Sequence, residues 1–229
     1  MIFERISRNF QLRFKDRVSA ASILADTTRS SVRKEAKNDA LVFGIPRGGV
    51  ITADIVATRL SIPNLDIIIP RKLTDPDNKE QAIGSIMEDG TTYLDEQQIR
   101  YSGISLDYIE KEKQTQIEEI KRRTEIYHSK IRRFGDAVSN TIILVDDGAA
   151  TGATAIAAAR WIRKVLRPTF FIIAVPVAPK ETVKLLEGEC DIVKVVMSPT
   201  NFRSVGRFYQ DFSVVTDEQV ISILNKRNQ

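Results

Sequence analysis

The stretch Thr141-Ile142-Ile143-Leu144-Val145-Asp146-Asp147-Gly148-Ala149-Ala150-Thr151-Gly152-Ala153-Thr154 decides how this chain is read. Thr141 to Val145 has the continuous hydrophobicity of a strand buried on both faces. Two adjacent carboxylates, Asp146 and Asp147, follow at its C-terminal tip, where open α/β sheets bind ligands. The small residues after them let backbone N–H groups approach an anion closely, and Thr151 and Thr154 add hydroxyls. An alanine-rich helix, Ala153 to Leu166, then starts, and its unpaired N–H groups and positive end face the same point. A carboxylate edge thus stands beside an anion cradle, a pairing that suits a phosphorylated sugar with its phosphate and vicinal hydroxyls.

The same rhythm runs outward in both directions. Upstream, Ala40 to Ile45 is an apolar strand that stops at Pro46-Arg47-Gly48-Gly49, followed by a helix over Val50 to Leu60 and a strand over Leu65 to Ile69. Downstream come a strand over Thr169 to Val175, a short helix around Val183 to Leu186 and a last strand over Ile192 to Val196. Apolar strands alternating with helices predict the α/β class, a mostly parallel sheet flanked by helices. Residues 14–37 read as a loosely amphipathic opening helix. Between the halves, Lys72 to Gly90 is a polar loop with a short strand at Ala82 to Met87. Leu106 to Phe134 is a long charged helix, with Leu106, Ile109, Ile117, Ile120, Tyr127 and Ile131 on one face.

Composition removes several chemistries. His128 is the only histidine, which excludes zinc sites built from several histidines and leaves one residue for any Ser–His–Asp triad. Cys190 is the only cysteine, so there is no internal disulfide and a reducing compartment is expected. No run of roughly 18 apolar residues is present, nor an apolar signal core near Met1, so a cytoplasmic protein with no membrane partner is expected. Neither a P-loop nor a Gly-x-Gly-x-x-Gly turn occurs. With 34 basic and 30 acidic residues the excess charge is mild.

Ile142 to Thr154 resembles the phosphoribosyl diphosphate signature of the type I phosphoribosyltransferases. The resemblance implies that Asp146 and Asp147 hold the ribose hydroxyls, and that Gly148, Ala149, Ala150, Thr151, Gly152, Ala153 and Thr154 hold the 5-phosphate. Gly44 to Val50 is similar to the family's diphosphate loop, assigning Arg47, Gly48 and Gly49 to diphosphate, with Arg47 beside the two acids as a catalytic group. Arg71 and Lys72 correspond to a second diphosphate contact, ahead of a flap over the site. Phe202 to Phe212 resembles the hood of purine-handling members. There Phe202, Phe208 or Tyr209 would stack on a base, and Asp211, with Asp146, would touch magnesium. The implied organisation is one domain over 1–229: a core at about 40–197, an inserted loop and long helix at about 72–135, and a hood at about 198–229.

The implied reaction is transfer of a 5-phosphoribosyl group to a nucleobase or related nitrogen acceptor in nucleotide salvage, with Mg2+, release of diphosphate and a homodimeric assembly. Members acting on 6-oxopurines carry a further acid three residues after the pair. That position is Ala150, which argues against a hypoxanthine–guanine type. The alternative is a regulator that senses the same ligand and binds nucleic acid through Lys121, Arg122, Arg123, Lys130, Arg132 and Arg133. Interleaved acids make that the weaker reading.

Overall fold

The computed structural model describes residues 13–33, 37–128 and 140–227. In chain order, β1 (Ala40–Gly44) and β2 (Asn64–Ile67) precede a separate antiparallel sheet of β3 (Arg71–Thr74), β4 (Ala82–Ile86) and β5 (Thr92–Leu94). Three strands follow: β6 (Thr141–Val145), β7 (Phe170–Val177) and β8 (Ile192–Met197). The main sheet has the order β2-β1-β6-β7-β8, and every pairing in it is parallel. The helices are α1 (Arg17–Thr28), α2 (Gly48–Leu60), α3 (Glu96–Ser102), α4 (Leu106–His128), α5 (Ala153–Trp161), α6 (Lys180–Glu187) and α7 (Asp217–Arg227).

Strands that are apolar on both faces need cover on both faces. Val42, Val145 and Ile172 pack with α1 and α2 through Leu24, Val56 and Leu60, whereas Leu41, Phe43, Ile142, Leu144 and Phe171 pack under α5. Ala155, Ala157, Ala158 and Ala159 of α5 are all buried, and their small side chains let the helix lie close to the sheet.

The sheet order fixes where a ligand belongs. From β1 the chain steps one way to β2, and from β6 it steps the other way through β7 to β8. The switch point therefore lies between β1 and β6. Gly44 pairs in register with Val145, so the turns leaving the two strands emerge side by side.

Lys72 to Gly90 holds the expected short strand as β4 (Ala82–Ile86), and β3 (Arg71–Thr74) is a strand that was not expected. β3 and β4 form a hairpin extended by β5, because Leu73, Ile83 and Ile86 are fully buried against Ile109, Ile120 and Tyr127 of α4, and the buried Ser85 hydroxyl donates to Arg71 O at 3.0 Å. On α4, Leu106 is 77% exposed and does not belong to the apolar face. Ile131 and the expected continuation to Phe134 lie outside the described residues. Residues 198–216 fold beside the sheet's C-terminal edge, and α7 then returns to pack on α2, β2 and α4. Phe14 is stitched to this segment: its N–H donates to Phe208 O at 2.8 Å, and Gln210 N–H donates to Phe14 O at 2.8 Å. Among the described residues no helix is long and apolar enough to cross a membrane.

Cys190 lies at the end of α6, with Sγ 3.4 Å from Leu186 O and 3.3 Å from Ile192 O. Burial pushes its thiol up to about 11. At pH 8, a disulfide reagent is expected to label the native protein on the order of a hundredfold more slowly than the urea-unfolded chain. Equal rates would contradict the half-buried placement.

Candidate active site

The acid pair leaves the tip of β6 in two different environments. Asp146 Oδ1 accepts the N–H of Asp147 at 2.8 Å, and burial together with the neighbouring Asp147 holds the Asp146 carboxyl well above the usual carboxylate range. Asp147 Oδ2 instead accepts Arg17 Nε at 2.7 Å, an ion pair whose side chains are only 11% and 15% exposed. Arg17 Nη1 also donates to Ser213 O at 2.8 Å, and its guanidinium lies 3.8 Å from the Phe212 ring centroid. Arg17 was not among the residues expected at the site. It stands 130 positions from Asp147, on the first turn of α1, and no local pattern marks it.

The glycines of the β1–α2 turn make room for these acids. A Cβ at Gly48 would sit 1.9 Å from Asp147 Oδ2, and one at Gly49 would sit 2.7 Å from Asp146 Oδ1 and 2.9 Å from Asp146 Cα. Gly48 lines the cleft, whereas Gly49 is buried behind it.

The loop from Gly148 to Thr154 is clamped from outside so that its inner amides stay open. Ala149 N–H donates to Val177 O at 2.9 Å, and the Thr182 hydroxyl donates to Ala150 O at 2.6 Å. Gly152 caps α5 at φ +77°, where a Cβ would also meet Thr182 Cγ2 at 2.9 Å, so this position needs glycine. Gly148 has Val205 against it, 2.5 Å from where a Cβ would be. Ala153 is buried and its N–H donates to Thr151 Oγ1 at 3.3 Å. Among the described residues no protein acceptor takes the N–H groups of Ala150, Thr151, Gly152 or Thr154. Of the seven cradle positions expected, Ala149 and Ala153 use their N–H groups to hold the loop in shape, and the donors of these four stay open.

Further cations line the same cleft. Arg47 follows a cis Pro46–Arg47 peptide at the start of α2, with Nη1 3.8 Å from Asp217 Oδ1. Arg71 Nε donates to Gln116 Oε1 at 2.9 Å, and burial, then the nearby Arg123, lower its pKa. Lys72 beside it is exposed. One cleft of about 650 Å³ unites Arg17, Arg47, Arg71, Lys72 and the two acids with the wall of the 148–154 loop. A second, more apolar cavity of about 440 Å³, beside Trp161 and Ile120, contains none of the motif residues.

Comparison with known proteins agrees with this geometry. A profile of the phosphoribosyl transferase domain matches residues 16–212. The chain belongs to the phosphoribosyl transferase family. Proteins from two Mycobacterium tuberculosis strains, provisionally named as phosphoribosyl transferases, are 34% identical over 192 residues. That match covers 82% of this chain but 42% of theirs, so the chain spans less than half the length of these curated relatives. The crystal structure of TT1426 from Thermus thermophilus superposes with a TM-score of 0.74 at 35% identity, over 95% of this chain and 100% of that one.

In this member of the family the aromatic segment is mostly packing. Phe208 and Tyr209 are 4% and 3% exposed. Phe202 stacks on Phe208 with centroids 5.2 Å apart, and Tyr209 lies between Phe14 and Phe212. The Phe208 and Tyr209 rings, expected to stack on a base, are thus enclosed by protein. Tyr209 supports the acid loop instead, donating its hydroxyl to Asp147 O at 2.6 Å. Phe212 is the aromatic side chain that lines the cleft, and Arg17 covers one of its faces. Asp211 does not reach the site as a metal contact. It is exposed, and its Oδ1 accepts the N–H of Ser213 at 3.0 Å and the Ser213 hydroxyl, closing a local turn.

Proposed function

We propose that this protein transfers the 5-phosphoribosyl group of phosphoribosyl diphosphate to a nitrogen of a nucleobase or related acceptor and releases diphosphate. The observation that carries the reading is the single cleft at the sheet's switch point, which brings together the two acids, the open amides of the 148–154 loop and several guanidinium groups. In this reading Asp146 and Asp147 accept the ribose hydroxyls and favour the positive charge that develops on the ring. The open amides of Ala150, Thr151, Gly152 and Thr154, at the N-terminus of α5, take the 5-phosphate. Arg47, Arg71 and Lys72 face the diphosphate, where guanidinium forks suit bridging oxygens.

Magnesium fits this donor set in a limited way. The acid pair offers at most two carboxylates, and among the described residues no group of three acids, histidines or cysteines is gathered for a metal. That matches an ion held chiefly by substrate oxygens and water, with Asp146 as the candidate protein contact. When bound, the ion would neutralise charge on the departing diphosphate. Asp211 takes no part.

The nucleic-acid alternative draws no support from the basic cluster on α4. Arg122 and Arg123 both donate to Glu119 at 2.7 Å, and these bonds hold the Glu119 carboxyl down at about 2. Lys130, Arg132 and Arg133 lie outside the described residues.

Calorimetric titration with phosphoribosyl diphosphate and magnesium tests the reading. Wild type is expected to bind saturably, and Asp146→Asn/Asp147→Asn to lose about tenfold or more, on the order of 1.4 kcal/mol. Diphosphate release across a panel of free bases would then identify the acceptor. No saturable binding to wild type would remove the proposal.

A further inference from the structure

Helix α4 supplies neither the acids nor the phosphate loop, yet it touches Arg71 directly and reaches Arg47 through Asp217 of α7. Gln116 Oε1 accepts Arg71 Nε at 2.9 Å, while its Nε2 donates to Glu112 Oε1 at 3.1 Å. Glu112 Oε1 is in turn 3.3 Å from the Thr74 hydroxyl on β3, and Tyr108 donates its hydroxyl to Thr74 O at 2.9 Å. The Gln116 amide is therefore held from behind and can only present its oxygen to Arg71. About three helical turns further on, the Tyr127 hydroxyl donates to Asp217 Oδ1 at 2.5 Å, the same oxygen that faces Arg47.

The choice of glutamine has a consequence. A neutral acceptor fixes the Nε edge of Arg71 without compensating its charge, and leaves the four Nη hydrogens for a ligand. A carboxylate at position 116 would orient the same guanidinium but tie up its charge in an ion pair. Arg47 is held more loosely, by a carboxylate 3.8 Å away whose position Tyr127 secures.

We propose that Gln116 is a positioning residue that aims Arg71 at the diphosphate half of the substrate, and that Tyr127 does the same for Arg47 through Asp217. The inference rests on the phosphoribosyl-transfer reading above and gives α4 its role: it backs the leaving-group side of the cleft.

The test uses the full chain as wild type, Gln116→Leu, Gln116→Glu and Tyr127→Phe. Each is titrated with magnesium and inorganic diphosphate, with magnesium and phosphoribosyl diphosphate, and with ribose 5-phosphate. Thermal unfolding confirms that each variant is folded. Gln116→Leu is expected to weaken the two diphosphate ligands by about five- to tenfold, and Tyr127→Phe by about threefold, while ribose 5-phosphate changes by less than about twofold. Gln116→Glu, which keeps the acceptor and nearly the shape, is expected to weaken diphosphate at least as much as Gln116→Leu. A purely structural glutamine would make that variant benign. Wild-type diphosphate affinity in Gln116→Glu, or equal losses for all three ligands, would overturn the inference while leaving phosphoribosyl transfer intact. Failure of wild type to bind phosphoribosyl diphosphate would remove both.

Discussion

Alanine at position 48 is expected to weaken phosphoribosyl diphosphate binding by about tenfold or more while lowering the unfolding midpoint by only a few degrees. The new methyl group would fall 1.9 Å from Asp147 Oδ2, 2.7 Å from Asp147 Cγ and 2.8 Å from Arg17 Nε. All three are side-chain atoms that can swing away, so the fold has an inexpensive escape. The swing separates Arg17 from Asp147 and turns the carboxylate out of the wall. Gly49→Ala supplies the contrast, because its methyl would meet the Asp146 Cα at 2.9 Å and Val145 O at 3.1 Å. Backbone cannot move aside so cheaply, and overpacking of this kind costs about 1–3 kcal/mol. Calorimetric titration and thermal melts of the two variants separate a displaced acid from a damaged fold. Wild-type affinity in Gly48→Ala would mean that the acid geometry does not hold the ligand.

Asp146→Asn is expected to move function and stability in opposite directions. Burial and the adjacent Asp147 raise the Asp146 pKa above its ordinary 3.8, so the folded chain disfavours the ionised form more than the unfolded chain does. Stability therefore falls as pH rises from the ordinary value towards the raised one, and the deficit persists at neutral pH. Asparagine cannot ionise, and its Oδ1 can still accept the N–H of Asp147 at the observed 2.8 Å geometry. Without magnesium at pH 7 the variant is expected to gain about 1 kcal/mol, or about 2–4 °C in midpoint. That gap should close near pH 3, while binding of phosphoribosyl diphosphate drops by about tenfold or more. Scanning calorimetry at the two pH values checks it. A variant that melts no higher than wild type at pH 7 would show that Asp146 is not strained by its burial.

The core of the fold was readable because its signals are local and repeated. Continuously apolar strands at Ala40–Gly44, Thr141–Val145 and Phe170–Val177, each closed by a turn or a helix start, announce a parallel sheet. β3 and β5 were not readable. They are three or four residues long, and β3 shows only Leu73 as a fully buried position among polar neighbours. Their strand character comes from pairing and from the cover of α4, not from propensity. At the site, the acids, the open loop and Arg47 follow from sequence order along the sheet edge, whereas Arg71 and Lys72, on the separate sheet, were named through the family resemblance. Arg17 follows from neither, because long-range side-chain pairing leaves no periodic trace. Phe208 and Tyr209 show the converse limit. An aromatic cluster in sequence looks the same whether its rings await a ligand or pack on Phe14 and Phe202.

The register of β1 against β6 bears on how the molecule assembles. Ala40 pairs with Thr141, so the two strands that flank the switch point meet only after about a hundred intervening residues have been looped out. Such closure is slow relative to helix formation and short hairpins. Chains that have collapsed but not yet inserted the sixth strand would own the arginine turn without the acids that face it. Ligand would then recognise the finished molecule alone, and would raise the unfolding temperature by mass action without accelerating the approach to the native state.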